Sequence, residues 1–330
     1  MNKVAHDNVF GTGPKPASDG RLSVFLDFES SAYENWRRNK LASLALTDGN
    51  SSPVIEVEDP LTLTAGALER IADSLEALGF AIYRLAPRAD SLSVRELLAM
   101  CARLGLARID RNRCAYEDGV TRLQTSQQGE RQFYIPYSNK GLNWHTDGYY
   151  NEGEHRIRSF VLHCIRNAEQ GGESFLYDPE LLYLQMRDED PELVQALLRP
   201  DALTIPENAI DACNLRSSQT GPVFWVDEAS GGLQMRYTAR TRSIAWNPDQ
   251  TVRRAVTFIR DTLENSGYVQ KYKLKAGEGV ISNNCLHGRR PFEDSDSDPR
   301  LLFRARFYDR ISIANSGNTR YTGSGNQVAC

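Results

Sequence analysis

The chain has no C-x-x-C pair, no surplus of positive charge, and no apolar run near the roughly 20 residues that span a bilayer. Each absence removes a class. The six cysteines (Cys101, Cys114, Cys164, Cys213, Cys285, Cys330) stand far apart, so they read as reduced thiols, not as a disulfide framework or a zinc knuckle. A balance of 39 basic against 43 acidic residues, net -4, gives no electrostatic reason to bind nucleic acid. The opening Met1-Asn2-Lys3-Val4-Ala5-His6-Asp7 lacks the apolar stretch of a secretory signal, so a cytoplasmic location and no membrane association are expected. Histidine is scarce as well, with five in 330 residues, which makes the surroundings of each one informative.

What remains is long enough for one large core. Residues 1 to about 20 read as a loose arm and those from about 312 to 330 as a polar, turn-rich tail. No linker-like break divides the stretch between them, so a single domain is expected, with a homo-oligomer left open. Leu68, Ile71, Leu75 and Leu78 fall on one helical face that Gly79 ends, and Ser93-Val94-Arg95-Glu96 is a capping box. Asp178-Pro179 and Asp190-Pro191 each place a cap before a helix-starting proline. Asn247-Pro248 opens a further helix, with Val252, Ala255, Val256, Ile259 and Leu263 as its stripe and Gly267 as its end. Short strands are expected over 156–165, 174–177, 222–226, 233–237, 268–274, 280–283 and 301–308. With helices inserted, this predicts a mainly β architecture with flanking helices, a sandwich or jelly roll.

Two histidines stand in a chemical context. In Asn143-Trp144-His145-Thr146-Asp147-Gly148 an imidazole and a carboxylate lie two positions apart, and on extended backbone such residues share a face. His287 follows 142 positions later, just after a strand, in Asn284-Cys285-Leu286-His287-Gly288-Arg289. Two histidines and one carboxylate make the facial triad of non-haem Fe(II) oxygenases, which leaves metal positions open. Arg300, Arg304 and Arg306 share one face of the last strand. Guanidiniums in a row repel one another unless anions or internal ion pairs lie between them, and arginine suits bidentate carboxylate recognition. Tyr134 and Asn139, in the polar aromatic segment before the first histidine, are candidate substrate contacts on a covering loop. His6, His155 and His163 are set aside as non-ligands, and the roles of Arg289 and Arg290 stay open.

The chain resembles the TauD/TfdA-like Fe(II)/2-oxoglutarate dioxygenases through Trp144-His145-Thr146-Asp147, Gly171-Gly172-Glu173-Ser174, Gly277-Glu278-Gly279-Val280 and His287-Gly288-Arg289 leading to Arg300. That resemblance implies a double-stranded β-helix core, with His145, Asp147 and His287 as iron ligands. It implies Arg300 and Ser174 on the distal carboxylate of 2-oxoglutarate, Ser174 standing where threonine is common. It also implies O₂ as oxidant, release of succinate and CO₂, and hydroxylation or desaturation of a C–H bond. Gly141 stands where taurine enzymes carry an asparagine, which argues against taurine. Met235-Arg236-Tyr237, Asp147-Gly148 with Tyr150, and the arginine spacing are similar to the glutarate 2-hydroxylase branch. By that similarity Arg304 and Arg306 bind a substrate carboxylate. Three readings stay open: a small carboxylate or amino acid as substrate, an amino-acid-derived biosynthetic intermediate, or a cupin-like metal-binding sensor without oxidation.

Overall fold

The structure, a computed structural model, describes residues 24–28, 31–47, 53–88, 91–127, 129–209, 215–295 and 297–313. The expected N-terminal arm and nearly all of the C-terminal tail lie outside these residues, as do His6, Cys213 and Cys330.

Ten strands form the two sheets that matter for the site: β1 (Val54–Val57), β2 (Phe80–Leu85), β3 (Thr121–Leu123), β4 (Leu142–His145), β5 (Ser159–Arg166), β6 (Ser174–Tyr177), β7 (Gln270–Tyr272), β8 (Glu278–Ser282), β9 (Leu286–Arg289) and β10 (Leu301–Phe307). The larger sheet runs β1-β2-β8-β5-β10-β3 and the smaller β7-β6-β9-β4. Only β1 and β2 pair in parallel; the other pairings in these two sheets are antiparallel. The mainly β, jelly-roll expectation therefore holds, as two open sheets and not a closed barrel.

Alternation along the strands sorts the large sheet into two faces. Phe80, Ile82, Phe160, Cys164, Val280 and Leu302 point toward the small sheet and join a core with Leu176, Tyr177 and Leu286. Ala81, Tyr83, Val161, Ile281, Ala305 and Phe307 point outward, under two helices, α2 (Ala65–Leu78) and α3 (Val94–Arg103). Helix α2 is started by the Thr64 hydroxyl, which accepts from the Ala67 N–H, and stopped by Gly79 at φ 74°, whose N–H donates to the Leu75 carbonyl. Burying Ile71 and Leu75 beneath it contributes about 1.5–3 kcal/mol per side chain. Helix α3 carries the capping box expected at Ser93 and Glu96.

A second helical layer, α4 (Pro179–Glu189), α5 (Pro191–Leu198) and α6 (Gln250–Asn265), packs against the inner core. Asp178 and Asp190 cap α4 and α5 as expected. The start of α6 differs: Asp249, not Asn247, is the cap, and the Asn247 carboxamide oxygen accepts from the Asp249 N–H to set up the turn. Among the described residues no helix is long and apolar enough to cross a membrane.

Candidate metal centre and its cavity

His145 is the last residue of β4 and His287 the second of β9, and the two are register partners across antiparallel strands. His287 thus lies within a strand of its own, one that the sequence reading passed over. Their ring centroids are 4.3 Å apart, and the centroid of the His287 ring lies 4.6 Å from that of Phe160 on the large sheet. Gly288 is required beside it, because a Cβ there would stand 2.1 Å from the Phe175 ring and 2.5 Å from the Leu142 carbonyl. Asp147 follows β4 in a turn. Ligand atoms of His145, Asp147 and His287 all lie within 4.8 Å of one another, and all three residues are buried.

Each imidazole is held in one tautomer. His145 Nδ1 donates to the Asn143 carbonyl and His287 Nδ1 to the Cys285 carbonyl, both at 2.9 Å, which leaves each Nε2 as an unprotonated donor atom. Burial and the neighbouring imidazole push the His145 pKa down to about 3, and burial lowers that of His287. Burial alone would raise the Asp147 pKa. The Arg304 and Arg306 guanidiniums, 3.2 and 3.7 Å from Oδ1, more than offset it and keep the carboxyl well below its ordinary range. Oδ2 is buried with no hydrogen-bond partner. Two neutral imidazole nitrogens and one unpartnered carboxylate oxygen are a donor set that fits a divalent iron and leaves coordination positions free.

Asn284 ties this centre together. Its carboxamide oxygen accepts from the Asp147 N–H (2.8 Å), and its Nδ2 donates to the carbonyls of Asp147 (3.0 Å) and Ile157 (2.8 Å). Asn284 also adopts φ 59°, a conformation that asparagine tolerates better than most residues.

The arginine row divides. Arg304 and Arg306 keep to the inner face of β10, where Arg306 donates to Asp110 and to the Tyr150 hydroxyl as well as facing Asp147. The repulsion noted from sequence is therefore relieved by internal ion pairs. Arg300 lies one residue before β10, and a register shift between Leu301 and Leu302 separates it from the other two. Its guanidinium stands 5.0 Å over the Phe292 ring, and Arg289, buried and on the same strand as His287, stands 4.6 Å over that ring. Burial and the proximity of Arg300 lower the Arg289 pKa to about 9. Ser174 is the register partner of Arg289 and is half-buried, whereas Arg290 is exposed. Arg289, Arg300 and Ser174 thus gather about Phe292, at the end of β9 beyond His287, and no carboxylate is hydrogen-bonded to the Arg300 guanidinium among the described residues.

On the other side of the triad opens a cavity of about 680 Å³ lined by His145, Asp147, Arg304, Arg306, Tyr134 and other residues. Asn139 is not among its lining residues: it is exposed, and its backbone carbonyl accepts from the Phe292 N–H. Sequence reasoning missed Tyr149, Arg216 and Arg240 in the wall, and Asp110 in the floor. Tyr149 lies only two positions after Asp147, whereas Asp110, Arg216 and Arg240 arrive from distant parts of the chain and nothing in their local sequence marks them.

A jelly roll carrying a buried two-histidine, one-carboxylate cluster defines the class: a mononuclear metal-site protein of the facial-triad type. Residues 42–306 match the profile of the taurine catabolism dioxygenase TauD, TfdA family, and the chain belongs to that family. It is 33% identical over 186 residues to a uridine-5'-phosphate dioxygenase of an Amycolatopsis species, a match covering 53% of this chain and 64% of that protein, just under two thirds of its length. A uridine-5'-phosphate dioxygenase of a Streptomyces species is 29% identical over 251 residues, covering 71% and 86%. Among solved structures, the non-haem iron oxygenase OrfP in complex with Fe and alpha-ketoglutaric acid aligns with a TM-score of 0.55 at 17% identity, over 85% of this chain and 92% of that one. Asparagine oxygenase aligns at 0.52 and 16%, over 84% and 91%. At such identities these two share the fold.

Proposed function

We propose that this chain is an Fe(II)/2-oxoglutarate-dependent dioxygenase that hydroxylates a C–H bond of a small anionic substrate. The observation that carries the reading is the triad: two histidines locked with Nε2 free, and Asp147 with one oxygen held by arginines and the other unpartnered. His145, Asp147 and His287 hold the iron, and Arg300 with Ser174 holds the distal carboxylate of 2-oxoglutarate. Iron, 2-oxoglutarate and O₂ together supply a C–H oxidation coupled to decarboxylation to succinate and CO₂.

The residues of the chain do the rest. Arg304 and Arg306 keep Asp147 ionised and aligned, and their positions on β10 make them part of the cavity floor that the substrate meets. The phenol of Tyr137, buried and raised in pKa by that burial, stays protonated beside Arg304. The cavity walls place one bond of the substrate at the metal.

Two of the curated relatives are named for uridine-5'-phosphate. A nucleoside 5'-monophosphate therefore joins small carboxylates and amino acids among the substrates to be tested. The test has two arms. Anaerobic addition of Fe(II) and 2-oxoglutarate should give the weak visible charge-transfer band of the chelate, and 2-oxoglutarate turnover to succinate should rise with the right substrate. A protein that binds iron yet forms no such band would be a metal-binding sensor and not an oxygenase.

A further inference from the structure

We propose that Arg216 and Arg240 form an anion subsite in the cavity wall that recognises a phosphate monoester on the substrate. This rests on the reading above of the same cavity as the substrate site.

Arg304 is paired with Asp147, and Arg306 with Asp110 and Asp147, so the floor is close to neutral. Two further arginines of the lining, Arg216 and Arg240, have no carboxylate partner among the described residues. Among the described residues Arg240 makes no hydrogen bond or ion pair. The Arg216 guanidinium makes one hydrogen bond, from Nη2 to the Pro206 carbonyl at 3.1 Å, while its buried Nε has no partner. The remaining carboxylate of the lining, Glu152, accepts from Gln219 Nε2.

Two tyrosines connect this wall to the metal centre. The Tyr149 ring is 6.5 Å from that of His145, the Tyr150 ring is 5.2 Å from Tyr149, and the Arg216 guanidinium stands 5.2 Å over Tyr150. Tyr149, Tyr150, Arg216 and Arg240 all line the same cavity. Two guanidiniums of like charge, both short of acceptors and lining one cavity, suit a ligand that brings two charges and several acceptor oxygens. A phosphate monoester carries about -1.5 to -2 at neutral pH and offers three such oxygens, whereas a single carboxylate offers one charge and two.

Calorimetry under anaerobic conditions, on protein loaded with Fe(II) and 2-oxoglutarate, should compare uridine 5'-monophosphate with uridine. The monophosphate should bind at least about tenfold more tightly, and Arg216→Met with Arg240→Met should remove about tenfold to a hundredfold of that affinity while leaving uridine binding unchanged. Equal binding of the two probes, binding of neither, or a preference that survives in the double variant would overturn the subsite. So would a preference abolished by Arg304→Met alone, which would move the anion to the floor. The charge-transfer band of the loaded protein separates this from the broader reading. If the band forms without a phosphate preference, the subsite alone fails; if no band forms, the dioxygenase assignment fails first.

Discussion

Replacing Asn284 with alanine tests whether the metal centre depends on one side chain that binds no metal. The substitution deletes three hydrogen bonds and strands the Asp147 N–H and the carbonyls of Asp147 and Ile157 in a site where Asn284 is 3% exposed. At a net of roughly 0.5–1.5 kcal/mol each, with the stranded groups toward the upper end, the loss is about 2–4 kcal/mol. Alanine at φ 59° adds about 1 kcal/mol of backbone cost, which glycine would not incur. Urea denaturation of the metal-free protein should therefore show Asn284→Ala destabilised by about 3–5 kcal/mol and Asn284→Gly by about 1 kcal/mol less. Iron affinity should fall in both, because the Asp147 turn is no longer tied to the start of β9. An alanine variant as stable as the parent, with unaltered iron binding, would refute the tether.

Asp147→Ala and His287→Ala should each abolish metal binding at the triad and succinate formation, measured by titration with Fe(II) and by product assay. Normal turnover in both would eliminate the site. Arg300→Ala should raise the KM for 2-oxoglutarate by about tenfold to a hundredfold, from loss of a charge-assisted hydrogen bond of roughly 1.5–3 kcal/mol; an unchanged KM removes that role. Acid should weaken the metal-free protein early. His145 and His163 have folded pKa values of about 3 and 4, and that of His287 is also lowered, all below the ~6.5 of an unfolded histidine. The unfolded chain then binds more protons, so stability is full above about pH 6.5 and declines as pH falls through that value toward the folded pKa values. Denaturant midpoints that stay level from pH 7 to pH 5 would contradict this.

The helices most legible in sequence were those with both an apolar stripe and a stop, as at Leu68 to Gly79, or with a cap written into the chain, as at Ser93 and Asp178. Helix α1 (Ser31–Ala45) gave no such signal. It buries Lys40, whose ammonium reaches Asp178 at 2.5 Å and Glu180 at 3.3 Å, and a buried charge reads as surface until its partners 140 residues away are known. The strand Leu286–Arg289 was missed because it is short and has Gly288 at its centre; only packing against Phe175 shows why that glycine belongs there. The triad was legible because its parts are rare and two of them are neighbours in sequence. Its supports were not: Asp110, Asn284 and the unmatched charge of Arg216 acquire meaning through contacts that cross the whole chain.

The two imidazole–carbonyl bonds carry a last consequence. A ring whose proton is committed to a backbone carbonyl two residues back has nothing to hand to a substrate and no second nitrogen to receive with once a metal is seated. Both histidines are thereby withdrawn from acid–base work.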